Sequence, residues 1–245
     1  MSFGMFCAIP LRFRVWDEAC AGLMLPCFPL VGAVIGAVWY GAAWLMAISG
    51  VHNVFAAAVT AVAPFILSGF LHLDGYADTS DAVLSRRPFE EKLRILKDPH
   101  MGVFSVVMIA VLFLLQFAAV YAVIDRGIPL APLVVIPVVS RCCAALALLC
   151  LDTMPQSGYG TLFRQNARAV HRIFVAAIAV SAVALAWLFT GALGLATVIL
   201  TVAGFTAAMA YVRAEFNGVS GDLAGFSLVV SELCGLIALG VMTCC

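Results

Sequence analysis

Three aspartates dominate the polar chemistry of this sequence. In His72-Leu-Asp-Gly-Tyr-Ala-Asp-Thr-Ser-Asp81, Asp74, Asp78 and Asp81 stand at i, i+4 and i+7, so a helix over this segment puts three carboxylates on one face. Left uncompensated, anions at that spacing repel one another. A hard divalent cation removes the repulsion, and Mg²⁺ takes carboxylate oxygens together with substrate phosphates. Gly75 would let a bulky phosphorylated ligand come close to the backbone. The competing reading is of solvated carboxylates at a helix end, but unpaired carboxylates seldom cluster beside an apolar run. Asp74, Asp78 and Asp81 are therefore the candidate metal ligands, and Asp78 and Asp81 are candidate catalytic residues as well.

Other polar segments offer partners for that cluster. In Lys97-Asp98-Pro-His-Met-Gly102, Asp98 suits a further ligand or a base and Lys97 a phosphate contact; the same segment also reads as a simple helix stop. In Asn217-Gly-Val-Ser-Gly-Asp222, Ser220 and Gly221 can turn backbone N–H groups toward a phosphate where a helix begins. Asp222 there can cap the helix, bind metal or act as a base. His72 is a candidate substrate contact, either shuttling protons or orienting a neighbour. Tyr159 and Arg164 form a weaker candidate phosphate contact. Arg141 and Glu232 are the most deeply placed charges, each about 15 Å inside its span at helical rise. Isolated charges in lipid are costly, so the two are predicted to meet, either as a structural pair or with Arg141 also touching a diphosphate.

The elements that must position these residues are membrane helices. Of 245 residues, 64% are hydrophobic and 11% charged, against roughly 25% charged in a soluble domain. The formal net charge of zero gives no attraction to nucleic acid. Seven apolar runs are each close to the length of about 20 residues that crosses a bilayer: 28–49, 54–73, 103–124, 130–151, 173–189, 192–212 and 225–242. They are continuous rather than alternating, so an all-α polytopic fold in one integral domain over 1–245 is expected, not a barrel. With the N-terminus inside, every Lys and Arg except Arg126 and Arg141 falls on the inner side, as positive residues do in such proteins. The inner loops 74–102, 152–172 and 213–224 then hold nearly all the polar chemistry. Within the first, Pro88, Glu90, Glu91 and Lys97 mark a short surface helix, with Glu90–Arg94 as an i,i+4 pair and Phe89, Leu93 and Leu96 facing the membrane surface. The nine cysteines show no metal-ligand spacing, and the N-terminus does not read as a signal peptide.

Taken together, Gly69-Phe-Leu-His-Leu-Asp-Gly-Tyr-Ala-Asp-Thr-Ser-Asp81, Leu93-Arg-Ile-Leu-Lys-Asp98 with Gly102, Ser140-Arg141, and Gly218-Val-Ser-Gly-Asp222 with Glu232 resemble the adenosylcobinamide-GDP ribazoletransferase (cobalamin synthase) family in order and in placement against the spans. The departures are modest: Ala82 stands where that family usually has Gly, Ser220 replaces a Thr, and Tyr76 replaces an aliphatic residue. The resemblance implies Mg²⁺-dependent transfer of the adenosylcobinamide-phosphate moiety of adenosylcobinamide-GDP to alpha-ribazole or its 5′-phosphate, with release of GMP. It implies a multi-pass cell-membrane protein with its active site on the cytoplasmic side, and leaves homo-oligomerisation open. Two rivals are weaker. CDP-alcohol phosphotransferases also use Asp-rich helix ends, but their DGxxAR arrangement is absent. An ion-coupled transporter built on Arg141 and Glu232 would show repeated halves, and none is evident.

Overall fold

The computed structural model describes residues 1–9, 18–154 and 168–241. The elements are α1 (Ser2–Phe6), a 3₁₀ turn (Glu18–Leu23), α2 (Phe28–Ile48), α3 (Asn53–Leu67), α4 (Leu71–Leu84), α5 (Phe89–Ile95), α6 (Val103–Asp125), α7 (Pro132–Cys150), α8 (Ala169–Thr190), α9 (Ala192–Phe216) and α10 (Gly221–Val241). Five helical stretches are long and apolar enough to cross a bilayer, and α3–α4 adds a sixth if that bent pair is one broken span. One of the five, 169–216, is 48 residues long, about twice what a bilayer needs. Gly191, at φ 58°, divides it into α8 and α9, which pack on each other and on α7. The chain is an all-α polytopic membrane protein.

The second apolar run departs from the straight span expected over 54–73. Helix α3 ends at Leu67, and α4 leaves it at 91°. The turn is made by Gly69 and Phe70, both left-handed at φ 64° and 60°, and is pinned by the Ala8 N–H donating to the Leu67 carbonyl (2.8 Å). Glycine adopts such a φ freely, whereas phenylalanine is strained there, and the apolar composition of the run hid the break. Pro64 lies just before it and has no N–H to give the Thr60 carbonyl. The Trp39 indole N–H supplies that bond at 2.7 Å, and the Gln116 amide donates to the neighbouring Ala61 carbonyl at 2.9 Å. A backbone acceptor freed at membrane depth is thus satisfied by side chains from adjacent helices.

The bend has a larger consequence. The segment expected to open the first inner loop is instead helix α4, packed between α6 and α10, with most of its residues buried. The short helix of that loop is present as α5, with Pro88 at its N-cap rather than at its first helical position. Its ion pair is Glu91–Arg94 at 3.7 Å, not Glu90–Arg94. Lys92 bonds Glu215 at the end of α9, and Leu96 is buried in the main core while Phe89 stays exposed. These contacts fix α5 against the bundle.

Helices α7 and α10 form the interior. Arg141 and Glu232 meet there, as their cost in lipid requires: Nη1 to Oε1 is 2.6 Å, and the guanidinium is 1% exposed. Ser140 Oγ donates to the same carboxylate oxygen at 2.8 Å, Arg141 also donates to the Pro137 carbonyl at 3.2 Å, and the Phe28 ring lies 5.5 Å from the guanidinium carbon. Removing one partner of a buried pair leaves the other charge uncompensated, which costs about 3–5 kcal/mol, whereas replacing both by apolar groups of similar volume is far less damaging. Glu232→Ala is accordingly expected to lower the thermal midpoint of the detergent-solubilised protein sharply. The Arg141→Met/Glu232→Met double variant should recover most of the loss; a double variant less stable than the single one would contradict this reading.

Candidate active site

The site is built where α4 crosses the start of α10. A Cβ on Gly75 would lie 2.9 Å from the Asp222 carbonyl oxygen and 3.0 Å from its Cα. One turn away, a Cβ on Gly225 would sit 3.5 Å from the His72 backbone. The helices touch backbone to backbone at these glycines, and Tyr76 stacks on Phe226 with ring centroids 5.3 Å apart. Gly75 therefore serves the helix crossing, and its close neighbour is Asp222 of the chain itself.

The crossing assembles a carboxylate cluster from two helices. Asp78 is half-buried and lies within electrostatic reach of Asp74, Asp222 and Asp81, and Asp222 also feels Asp74. Asp74 and Asp222 are solvent-accessible. Among the described residues, none of Asp74, Asp78 and Asp222 is in an ion pair.

Asp81 has a different task. It is 8% exposed, and its carboxylate accepts from the Gly102 N–H, from the Ser105 N–H at 3.2 Å and from Ser105 Oγ at 3.0 Å. These are the orphan donors at the start of α6, which lacks a capping side chain of its own. An anion at a helix N-terminus satisfies the donors and complements the dipole. A side chain on Gly102 would collide with the Asp81 carboxylate. Spacing alone groups Asp81 with Asp74 and Asp78; the structure turns it toward α6. Ser105 went unremarked in the sequence, where a serine three residues after Gly102 was the only available sign.

Ser220 caps α10, its Oγ accepting from the Leu223 N–H at 3.3 Å, which leaves Gly221 and Asp222 exposed on the first turn. The preceding loop is held by Thr153 and Val219: Met154 N–H donates to the Val219 carbonyl, and Val219 N–H to the Asp152 carbonyl, each at 3.0 Å. Asp98 and Lys97 are exposed in the α5–α6 connection. The Asp98 carboxylate accepts from the His100 N–H at 2.9 Å and faces His100 Nδ1 at 2.8 Å. These bonds from His100 hold the carboxyl below the usual range, which makes it a weak base. Asp98 is not among the charges acting on Asp78. Arg141 is committed to Glu232 inside the bundle. Tyr159 and Arg164 lie outside the described residues.

Beside the cluster is a cavity of about 260 Å³ between α1, α2, α4, α7 and α10. His72 and Asp222 stand in its wall, which is otherwise largely apolar. His72 is 7% exposed, stacks near Phe6 and meets the Phe28 ring edge-on at 5.6 Å.

A helical membrane protein with acidic residues gathered at the end of a re-entrant or broken span finds its relatives by sequence. The model of the family described as cobalamin-5-phosphate synthase matches residues 1–240. The chain belongs to that family. The chain is also similar to the adenosylcobinamide-GDP ribazoletransferases of Clostridium botulinum (strain Alaska E43 / Type E3) and Clostridium perfringens (strain ATCC 13124), each 35% identical over 99% of this chain and 96% of its own. That of Stutzerimonas stutzeri (strain A1501) is 31% identical over 87% of this chain and 85% of its own. No solved structure matches. The cobalamin-5-phosphate synthase family places this chain among the enzymes of cobalamin synthesis.

Two substitutions separate packing from chemistry. Gly75→Ala forces α4 and α10 apart and is expected to cost about 1–3 kcal/mol of stability along with most of the activity. Asp81→Asn weakens the charge-assisted cap of α6 and should lower the thermal midpoint by more than Asp74→Asn, whose carboxylate lies in the first turn of α4 but bonds no helix terminus among the described residues. Thermal unfolding in detergent reads both, and equal midpoints for Asp81→Asn and Asp74→Asn would contradict the capping role.

Proposed function

We propose that this enzyme joins adenosylcobinamide-GDP to alpha-ribazole or its 5′-phosphate, giving adenosylcobalamin or its 5′-phosphate and GMP. The observation that carries the reading is the unpaired carboxylate cluster of Asp74, Asp78 and Asp222 at the α4–α10 crossing. It is supported by the activity for which its relatives in Clostridium botulinum and Clostridium perfringens are named. The reaction is a displacement at phosphorus: the acceptor hydroxyl oxygen bonds to the phosphorus on the corrinoid side, the bond from that phosphorus to the bridging oxygen breaks, and GMP leaves with that oxygen.

The donor set fits Mg²⁺. It consists of carboxylate oxygens that form no ion pair among the described residues; no three His, Cys, Asp or Glu side chains among those residues converge on one ion, so substrate phosphates and water would have to complete the shell. Mg²⁺ is usually held by one or two carboxylates, with phosphates and water filling the rest. Asp74 and Asp78 would hold it, and when bound it would supply charge neutralisation to the diphosphate and its leaving group. Asp222 stands on the opposite helix and also lines the cavity, so its carboxylate is the better candidate to accept the acceptor hydroxyl's proton; Asp98 is already occupied by His100. Ser220 and Gly221 leave N–H groups of the first turn of α10 to orient phosphate oxygens. Such catalysis is mainly positioning and charge balance. The distribution of Lys and Arg in the loops supports a cytoplasmic site and N-terminus.

Purified enzyme incubated with adenosylcobinamide-GDP, alpha-ribazole and Mg²⁺ is expected to release GMP. Asp78→Asn should reduce kcat by about 100-fold or more, the scale lost with one transition-state electrostatic contact, while the protein keeps its thermal midpoint. Near-normal turnover of Asp78→Asn at saturating Mg²⁺ would contradict the assignment.

A further inference from the structure

The cavity beside Asp222 is unlike the rest of the site. It is walled by Phe6, Leu25, Phe28, Ala144, Leu148 and Leu228, with no Lys or Arg among the described residues of its lining, and reaches Asp222 and Gly221 at its polar end. Arg141 stands behind the Phe28 ring and is committed to Glu232, so among the described residues no uncommitted cation lines the slot for a diphosphate. At about 260 Å³ the space falls just below the range of about 300–1,000 Å³ that encloses drug-sized ligands. It admits a flat ring system and excludes a macrocycle. The side walls suit an aromatic guest: Phe6 and Phe28 rings lie 4.5 Å apart, and His72 stacks on one and meets the other edge-on. Offset and edge-on ring contacts of this kind add to simple burial.

His72 is a second, independent pointer. Among the described residues of the lining it is the one titratable side chain besides Asp222; it is buried, and its Nε2 has no hydrogen-bond partner among the described residues. A buried polar atom left unsatisfied costs free energy unless a ligand or water answers it. A histidine amid apolar walls matches a guest that is apolar over most of its surface and carries a single ring nitrogen.

We propose that this cavity, formed by Phe6, Phe28, Ala144, Leu148, Leu228 and His72, holds the uncharged aromatic base of the nucleoside acceptor. The inference rests on the acceptor reading given above and goes further, because it assigns the acceptor subsite and what sets base specificity. The base enters between α2, α4 and α7, and the ribose then emerges at Asp222. The acceptor hydroxyl therefore arrives beside Asp222 from the apolar side, while the diphosphate stays in the solvent-accessible mouth between Asp74 and the first turn of α10. One membrane-side apolar slot and one aqueous acidic face thus sort the two substrates by polarity.

The test is steady-state kinetics on the purified full-length enzyme with two variants of the wall. Ala144→Leu fills the slot and should raise KM for alpha-ribazole about 10-fold or more, the scale of an added side-chain bulk in an apolar pocket. KM for adenosylcobinamide-GDP should stay within about twofold, the split that separates binding of one substrate from shared chemistry. Leu148→Ala enlarges the slot and should shift preference toward ribosides with bulkier bases relative to the unsubstituted benzimidazole riboside. His72→Phe retains ring packing and removes the nitrogens; it should weaken ribosides whose base carries a free ring nitrogen more than a carbocyclic analogue. If the wild-type enzyme releases GMP but neither Ala144→Leu nor Leu148→Ala changes acceptor KM or base preference, this inference is overturned while the proposed reaction stands. An acyl chain that copurifies with wild-type protein and is lost from Ala144→Leu, with acceptor KM unchanged, would likewise overturn it in favour of a lipid occupant. Absence of GMP release by the wild type would instead remove the underlying reaction.

Discussion

The contact on which this structure depends is the glycine-mediated crossing of α4 and α10. A Cβ on Gly75 would crowd the Asp222 backbone, and Gly225 meets the His72 backbone at contact distance, so the two helix backbones cross closely here. In a membrane, apolar surface gains little by leaving lipid for protein, so close backbone packing through small residues is a main source of helix association. Here the same contact has a chemical result. It places the carboxylate of Asp222 next to those of Asp74 and Asp78, which lie far from it in the chain.

The rest of the fold holds the two helices in that relation. The 91° bend after α3 aims α4 at α10; it is made at Gly69 and Phe70 and pinned by the Ala8–Leu67 bond, while Trp39 and Gln116 satisfy carbonyls of α3 before it. Asp81 fastens α4 to the first turn of α6. The tie between Thr153 and Val219 sets where α10 starts, and the Arg141–Glu232 pair locks α10 to α7. Acidic residues that would repel one another are thereby kept together by neutral packing and by one buried ion pair remote from them. Such an arrangement would suit the cation-dependent phosphotransfer proposed above, in which charge is balanced only when metal and substrate arrive.

Much of this was legible in the sequence, and the exceptions have physical reasons. The apolar runs gave the helices because only a fully bonded backbone survives in lipid. Arg141 and Glu232 were paired in advance because a lone charge there is too costly. The i, i+4, i+7 spacing correctly put three aspartates on one helix, yet spacing is blind to what each meets, and only the fold shows Asp81 turned to Gly102 and Ser105. The break at Gly69 and Phe70 was concealed within a continuous apolar run, and a phenylalanine at positive φ carries no compositional warning. The nearness of Asp222 to Gly75 is a long-range contact that no local pattern encodes. A glycine at position 75 leaves room beside the backbone, and the structure gives that room to α10.

The most direct measurement is the affinity of Mn²⁺, a paramagnetic substitute for Mg²⁺, in a double-mutant cycle on Asp78→Asn and Asp222→Asn, read by the electron paramagnetic resonance of the free ion. If carboxylates of α4 and α10 share one electrostatic site, each single variant weakens the ion and the two effects are coupled, with a non-additivity of about 0.5–3 kcal/mol. Strictly additive effects, or an Asp222→Asn variant that binds Mn²⁺ as the wild type does, would contradict the account.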